Sequence, residues 1–127
     1  MRFILKLFVV LIILTTATFS SALEGQKPQT PSIPVIGMVT LVDLGATSCI
    51  ACRLMAPILE ELAKEYKGRA SVIFIDIYKN HDKVKEFNLF TIPTQIFFNK
   101  KGKEVYRHLG FLDKKSIMEK LDSLIAE

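Results

Sequence analysis

The chain has 127 residues, half of them hydrophobic, and a formal net charge of +4 at pH 7. That length favours one domain. Arg2 and Lys6 lie in a leading apolar segment without which the balance falls to +2, too small to argue for nucleic acid or an anionic membrane surface as a partner.

In chain order, the first feature reads as an export segment. Arg2 and Lys6 flank the apolar run 7–14 (LFVVLIIL), which softens through Thr15, Thr16, Ala17 and Thr18 and ends in Ser20-Ser21-Ala22. Charge, apolar run and small residues in that order describe a secretory signal cleaved after Ala22. A retained anchor is the rival, but 3–19 is interrupted by Lys6 and three threonines and falls short of the ~20 apolar residues of a comfortable span. Residues 1–22 are therefore expected to be a signal peptide, with a retained anchor as the alternative. The protein is expected to be periplasmic or otherwise extracytoplasmic. Residues 23–34, with Pro28, Pro31 and Pro34 among polar residues, read as an extended leader, which leaves 35–127 as the domain.

Residues 35–44 are mostly apolar and β-branched, a first strand in which Asp43 is the one charge, and 45–48 would be a turn. From 53 to 66 the apolar residues fall at 54, 58, 62, 66 and at 55, 59, 63, while Glu60, Glu61, Lys64 and Glu65 fill the other side. That is an amphipathic helix with Gly68 as its stop; Pro57 inside it predicts a kink or an interrupted first turn. Residues 71–77 (SVIFIDI) read as a buried strand and 81–87 as a short helix. Residues 94–98 and 104–109 read as strands joined by the turn Asn99-Lys100-Lys101-Gly102. Asp113 can cap a last helix whose stripe is Ile117, Met118, Leu121, Leu124 and Ile125. The order β-α-β-α-β-β-α is an α/β arrangement: a parallel pair with a helical crossover, a hairpin, and a closing helix.

Cys49 and Cys52 are the only cysteines, separated by Ile50 and Ala51, between a strand-like and a helix-like run. This spacing suggests thiol–disulfide exchange: one thiol attacks a partner's disulfide and the other resolves the mixed disulfide. Two other readings compete. A structural staple is weak, because closing a four-residue loop restricts the unfolded chain by only about 2 kcal/mol. A zinc site normally needs four ligands, and no second cysteine pair is present. His81 reads as a surface residue at a helix start, His108 as a strand-end residue, and Phe97-Phe98 as core.

Together these features resemble a thioredoxin over 39–124. The resemblance rests on Leu41-Val42-Asp43, a short turn and Cys49-Ile50-Ala51-Cys52; on Met55-Ala56-Pro57; on Thr91-Ile92-Pro93-Thr94, 44 positions after Cys49; and on Gly102 and Gly110. It implies a thioredoxin-like fold, reduced to a minimal β-α-β-α-β-β-α core with a central mixed four-stranded sheet. It further implies that Cys49, at a helix N-terminus that favours a thiolate, is the nucleophile of a redox-active disulfide with Cys52 as resolving thiol. Asp43 would be the buried acid that relays a proton to and from Cys52. Pro93 would be cis, exposing the backbone of Ile92 to an extended substrate, with Ser48, Ile50 and Ala51 beside it.

The sequence departs from the family pattern in four places. Ser48 stands for a usual tryptophan, Ile50-Ala51 for Gly-Pro, and Phe74 for a lysine facing the acid; the ~16 residues before Val39 are too few and too proline-rich for the family's first strand and helix.

The resemblance implies an exported thiol–disulfide oxidoreductase that reduces disulfides in extracytoplasmic proteins. It would act as a monomer without cofactor or metal, recharged by a membrane thiol-electron transporter of the cytochrome-c-biogenesis type. A disulfide donor or isomerase of the same fold is the alternative. A copper chaperone using the two thiolates is a further one; it needs a third soft ligand, for which Met55 is the nearest in sequence.

Overall fold

The computed structural model describes residues 32–127. The expected signal peptide 1–22, and the leader up to residue 31, lie outside the described residues.

Seven elements follow in the expected order: β1 Val39–Gly45, α1 Ile50–Glu65, β2 Ala70–Asp76, α2 His81–Glu86, β3 Thr94–Phe98, β4 Glu104–Leu109 and α3 Lys114–Ile125. They form a mixed four-stranded sheet in the order β2-β1-β3-β4. β1 is parallel to β2 and antiparallel to β3, and β3 is antiparallel to β4. All seven residues of β1 are buried, because a central strand covered on both faces has no side free for water.

The period-two alternation of β1 divides the core in two. Leu41 faces α1 and α3, packing with Met55, Leu59, Leu62, Phe97 and Leu121. Val42 and Leu44 face the other way, among Ile75, Phe87, Ile96 and Phe98. Asp43, two residues after Leu41, therefore points to the α1 side. On the first of these faces Tyr66, at the end of α1, ties that helix to α3 by donating its hydroxyl to Asp122 Oδ1 at 2.9 Å.

Two element starts differ from the residue pattern by three residues or more. β1 begins at Val39 rather than residue 35, because Gly37 sits at φ +89°, a conformation that breaks a strand; its N–H donates to Lys100 O at 2.8 Å. α1 begins at Ile50, three residues before the apolar periodicity, because Cys49 caps it: Cys49 Sγ accepts from Cys52 N at 3.2 Å. The helix also continues through Pro57 to Glu65, so its first turn is not interrupted there. Pro57 lies within the helix interior, where its ring removes one backbone donor.

Candidate active site

The C-terminal end of β1 delivers the chain to the start of α1 across the short turn 46–49. Cys49 is the N-cap, in extended conformation, and half-buried. Cys52, one turn into the helix, is 3% exposed. The two are joined as a disulfide, with Cα atoms 5.2 Å apart. The first-turn N–H groups of a helix lack intrahelical partners and carry the positive end of its dipole, so a reduced sulfur at Cys49 sits where negative charge is stabilised. The hydrogen bond from Cys52 N to Cys49 Sγ is one direct expression of that environment.

Around the disulfide the surface is mixed. Ser48 is exposed, Ile50 is 70% exposed and Ala51 is half-buried. The Ile92–Pro93 peptide bond is cis, Ile92 is half-buried and Pro93 buried. Pro93 O accepts from Gly110 N at 2.8 Å. The next residue, Thr94, pairs with Leu44 at the far end of β1, so the 91–93 segment and the turn leading to Cys49 share one end of the sheet. Phe90, two residues before Ile92, is exposed in the same loop; the sequence reading passed over it.

Asp43 is fully buried. Its Oδ1 accepts from Gln95 Nε2 at 2.7 Å. Burial, which penalises the charged carboxylate, pushes its pKa up to about 6, against the opposing pull of the Gln95 hydrogen bond. The register pairs Asp43 with Phe74 on β2 and with Gln95 on β3. An aromatic ring and an amide thus flank the acid where a lysine would supply charge.

Gly45 and Gln95 are site residues that the sequence reading missed. Gly45 faces the same way as Asp43, and a Cβ on it would lie 3.2 Å from Cys52 Sγ and 3.0 Å from the Phe74 ring. The absent side chain is what lets the first turn of α1 approach the sheet. Its signal was a glycine closing an otherwise apolar strand, which reads equally well as the start of a turn. Gln95 is a polar residue inside the buried run 94–98, and buried amides are rare without a partner.

Beside Cys52 an apolar cavity of about 340 Å³ is lined by Arg53, Ala56, Leu59, Val72 and Phe74. Met55 is fully buried, and its Sδ accepts from Gln95 Nε2 at 3.4 Å and from Leu112 N at 3.3 Å; it faces the acid side of the core. His81 opens α2 on the surface. His108 pairs with Gln95 on β4, and its Nε2 lies 3.0 Å from Phe111 O. Among the described residues no three His, Cys, Asp or Glu side chains group as a metal site, and no helix is long and apolar enough to cross a membrane.

The thioredoxin family model matches residues 11–123. Thioredoxins of Staphylococcus aureus and Staphylococcus haemolyticus are 40% and 42% identical to this chain over 84 residues, 66% of this chain and 80% of theirs. Among solved structures, a chloroplastic thioredoxin z, described as defining a type-specific target recognition, matches with a TM-score of 0.65. It is 32% identical, and the match covers 72% of this chain and 81% of that one. A paired Cys49 and Cys52 at the start of α1, on a fold shared with these relatives, place the chain in the thioredoxin family as a protein-disulfide oxidoreductase.

Proposed function

We propose that this oxidoreductase works outside the cytoplasm as a reductase of disulfides in exported proteins. The observation that carries the cysteine roles is their unequal exposure: Cys49 is half-buried at the helix cap, and Cys52 is 3% exposed behind it. Cys49, as thiolate, attacks one sulfur of a partner disulfide; a mixed disulfide forms and one partner sulfur leaves as thiolate. Cys52 then gives its proton to the Asp43 carboxylate and attacks Cys49 Sγ. The Cys49–Cys52 bond forms, and the second partner sulfur leaves. Two electrons have passed to the partner, whose two thiolates take up protons.

The segment at Ile92 supplies backbone against which an extended substrate can pair. Ser48, Ile50 and Ala51 form the adjoining contact surface, small and partly apolar. A dithiol in an oxidising compartment must be re-reduced, and a membrane thiol-electron transporter of the cytochrome-c-biogenesis type fits that requirement. Support for export is the order of Arg2 and Lys6, the apolar run and Ser20-Ser21-Ala22.

The test is a trap. The full chain carrying Cys52→Ser, expressed with its own leader, is expected to accumulate mixed disulfides with exported proteins through Cys49. Recovery of cytosolic partners alone would overturn the compartment, and recovery of none would overturn the roles of the two cysteines.

A further inference from the structure

We propose that Gln95 is a positioning residue for the proton transfer: its side-chain amide engages Asp43 Oδ1 and makes Oδ2 the oxygen that gains and loses the proton. This rests on the reading above, in which Asp43 takes the proton of Cys52.

Gln95 and Asp43 are cross-strand partners on β3 and β1, both with no exposed surface. An amide buried this deeply must use its hydrogen-bonding groups or bear a desolvation cost. Nε2 uses both of its N–H donors, one to Asp43 Oδ1 at 2.7 Å and one toward Met55 Sδ at 3.4 Å. The second contact fixes which way the amide faces. Turned over, Oε1 would oppose the Met55 sulfur, acceptor against acceptor, and that sulfur already accepts from Leu112 N.

With Oδ1 receiving an N–H, a proton on Oδ1 would set donor against donor. Asp43 Oδ2 and Gln95 Oε1 are the two buried side-chain atoms left without a partner among the described residues. Asp43 Oδ2 is thus the carboxyl oxygen at which no donor is aimed, and it can carry the proton without opposing one. The carboxylate is thus held through Oδ1 in both protonation states, while Oδ2 alone exchanges. In the transfer the S–H bond of Cys52 breaks, the O–H bond at Oδ2 forms, and the electron pair stays on sulfur for attack on Cys49. Gln95 is unchanged throughout.

The other titratable groups around Asp43 are few. β1 has none besides Asp43 itself. β2 carries Asp76 opposite Gly45, two register positions on, with Oδ1 accepting from Tyr78 N at 2.9 Å. β4 carries His108 beyond Gln95 in the same row. α1 presents Cys52 once reduced, with Arg53 and Glu60 along the neighbouring cavity. α3 turns Ile117, Leu121 and Leu124 inward.

The test follows the Asp43 carboxyl by NMR against pH in the full chain, together with the pH profile of mixed-disulfide resolution. Gln95→Leu removes the donor at similar volume, and Gln95→Met serves as a second variant should the first not fold. The Asp43 midpoint is expected to rise by about one unit in a folded variant, and the rate profile to move with it. A midpoint that stays in place in a folded variant overturns the role of Gln95. Asp43→Asn should abolish the pH limb; a limb that survives it overturns the acceptor role of Asp43 instead. His108→Gln should leave the limb in place, and its loss there would assign the titration to His108 and overturn both.

Discussion

Gly45 and Cys52 are in close approach: a side chain on the glycine would begin 3.2 Å from the Cys52 sulfur and its Cβ. The end of β1 and the first turn of α1 are therefore fitted to one another at the resolving cysteine. The Phe74 ring, 3.0 Å from the same point, closes the third side.

Gly45→Ala should force these groups apart. The Phe74 ring end can yield, but Cys52 is tied into a capped helix, so overpacking should destabilise the oxidised form by about 1–3 kcal/mol. Urea unfolding of the oxidised variant measures this. Stability equal to the parent would mean that the helix start is free to move away from the sheet.

Asp43 should make stability fall as pH rises. Its folded pKa of about 6 lies above the ordinary aspartate value of 3.8, so between those values the folded state holds a proton that the unfolded state has lost. The slope of unfolding free energy with pH is then negative in that window. Above it, the buried carboxylate costs about 3 kcal/mol. Asp43→Asn, which keeps an oxygen for the Gln95 Nε2 donor and carries no charge, should remove that cost: it should stabilise the protein at pH 8 by a similar amount and change little at pH 4. Denaturant unfolding at both pH values decides, and equal effects at the two would contradict a titrating buried acid.

Phe74→Lys places an ammonium on the residue in register with Asp43. An opposite charge nearby favours the carboxylate, so the Asp43 midpoint should drop by about one unit. Carboxyl titration by NMR reads this directly. An unmoved midpoint would show that the new ammonium reaches solvent past the cavity edge rather than the acid.

Much of this was legible in the sequence, for identifiable reasons. The bounds of β3 and β4, Thr94–Phe98 and Glu104–Leu109, matched their reading because the turn between them announces itself at Asn99 and Gly102. The Cys49–Cys52 spacing and the Ile92-Pro93 dipeptide named the neighbourhood of the site. The residue pattern put the start of α1 at 53, although Ile50 and Ala51 continue the same i, i+4 rows, because a cysteine cap is not among the residue types that mark a helix start; only the resemblance put Cys49 at the helix N-terminus, where it lies. Gln95 did not show because a strand buried on both faces has no alternation from which a polar residue could stand out. Its importance lies in a cross-strand partner 52 positions away, a relation that pattern along the chain does not carry.

Cys49→Ser should abolish disulfide reduction, since a hydroxyl cannot replace the thiolate as nucleophile. Turnover of a protein disulfide substrate measures it. Activity retained in that variant would contradict Cys49 as the attacking group.

The direction of electron flow is tested most directly by the reduction potential of the Cys49–Cys52 pair, obtained by equilibrating the full chain with a glutathione redox buffer. A reductase recharged from the membrane should give a value near or below roughly −230 mV. A value of about −120 to −180 mV would contradict that and make the protein a disulfide donor or isomerase.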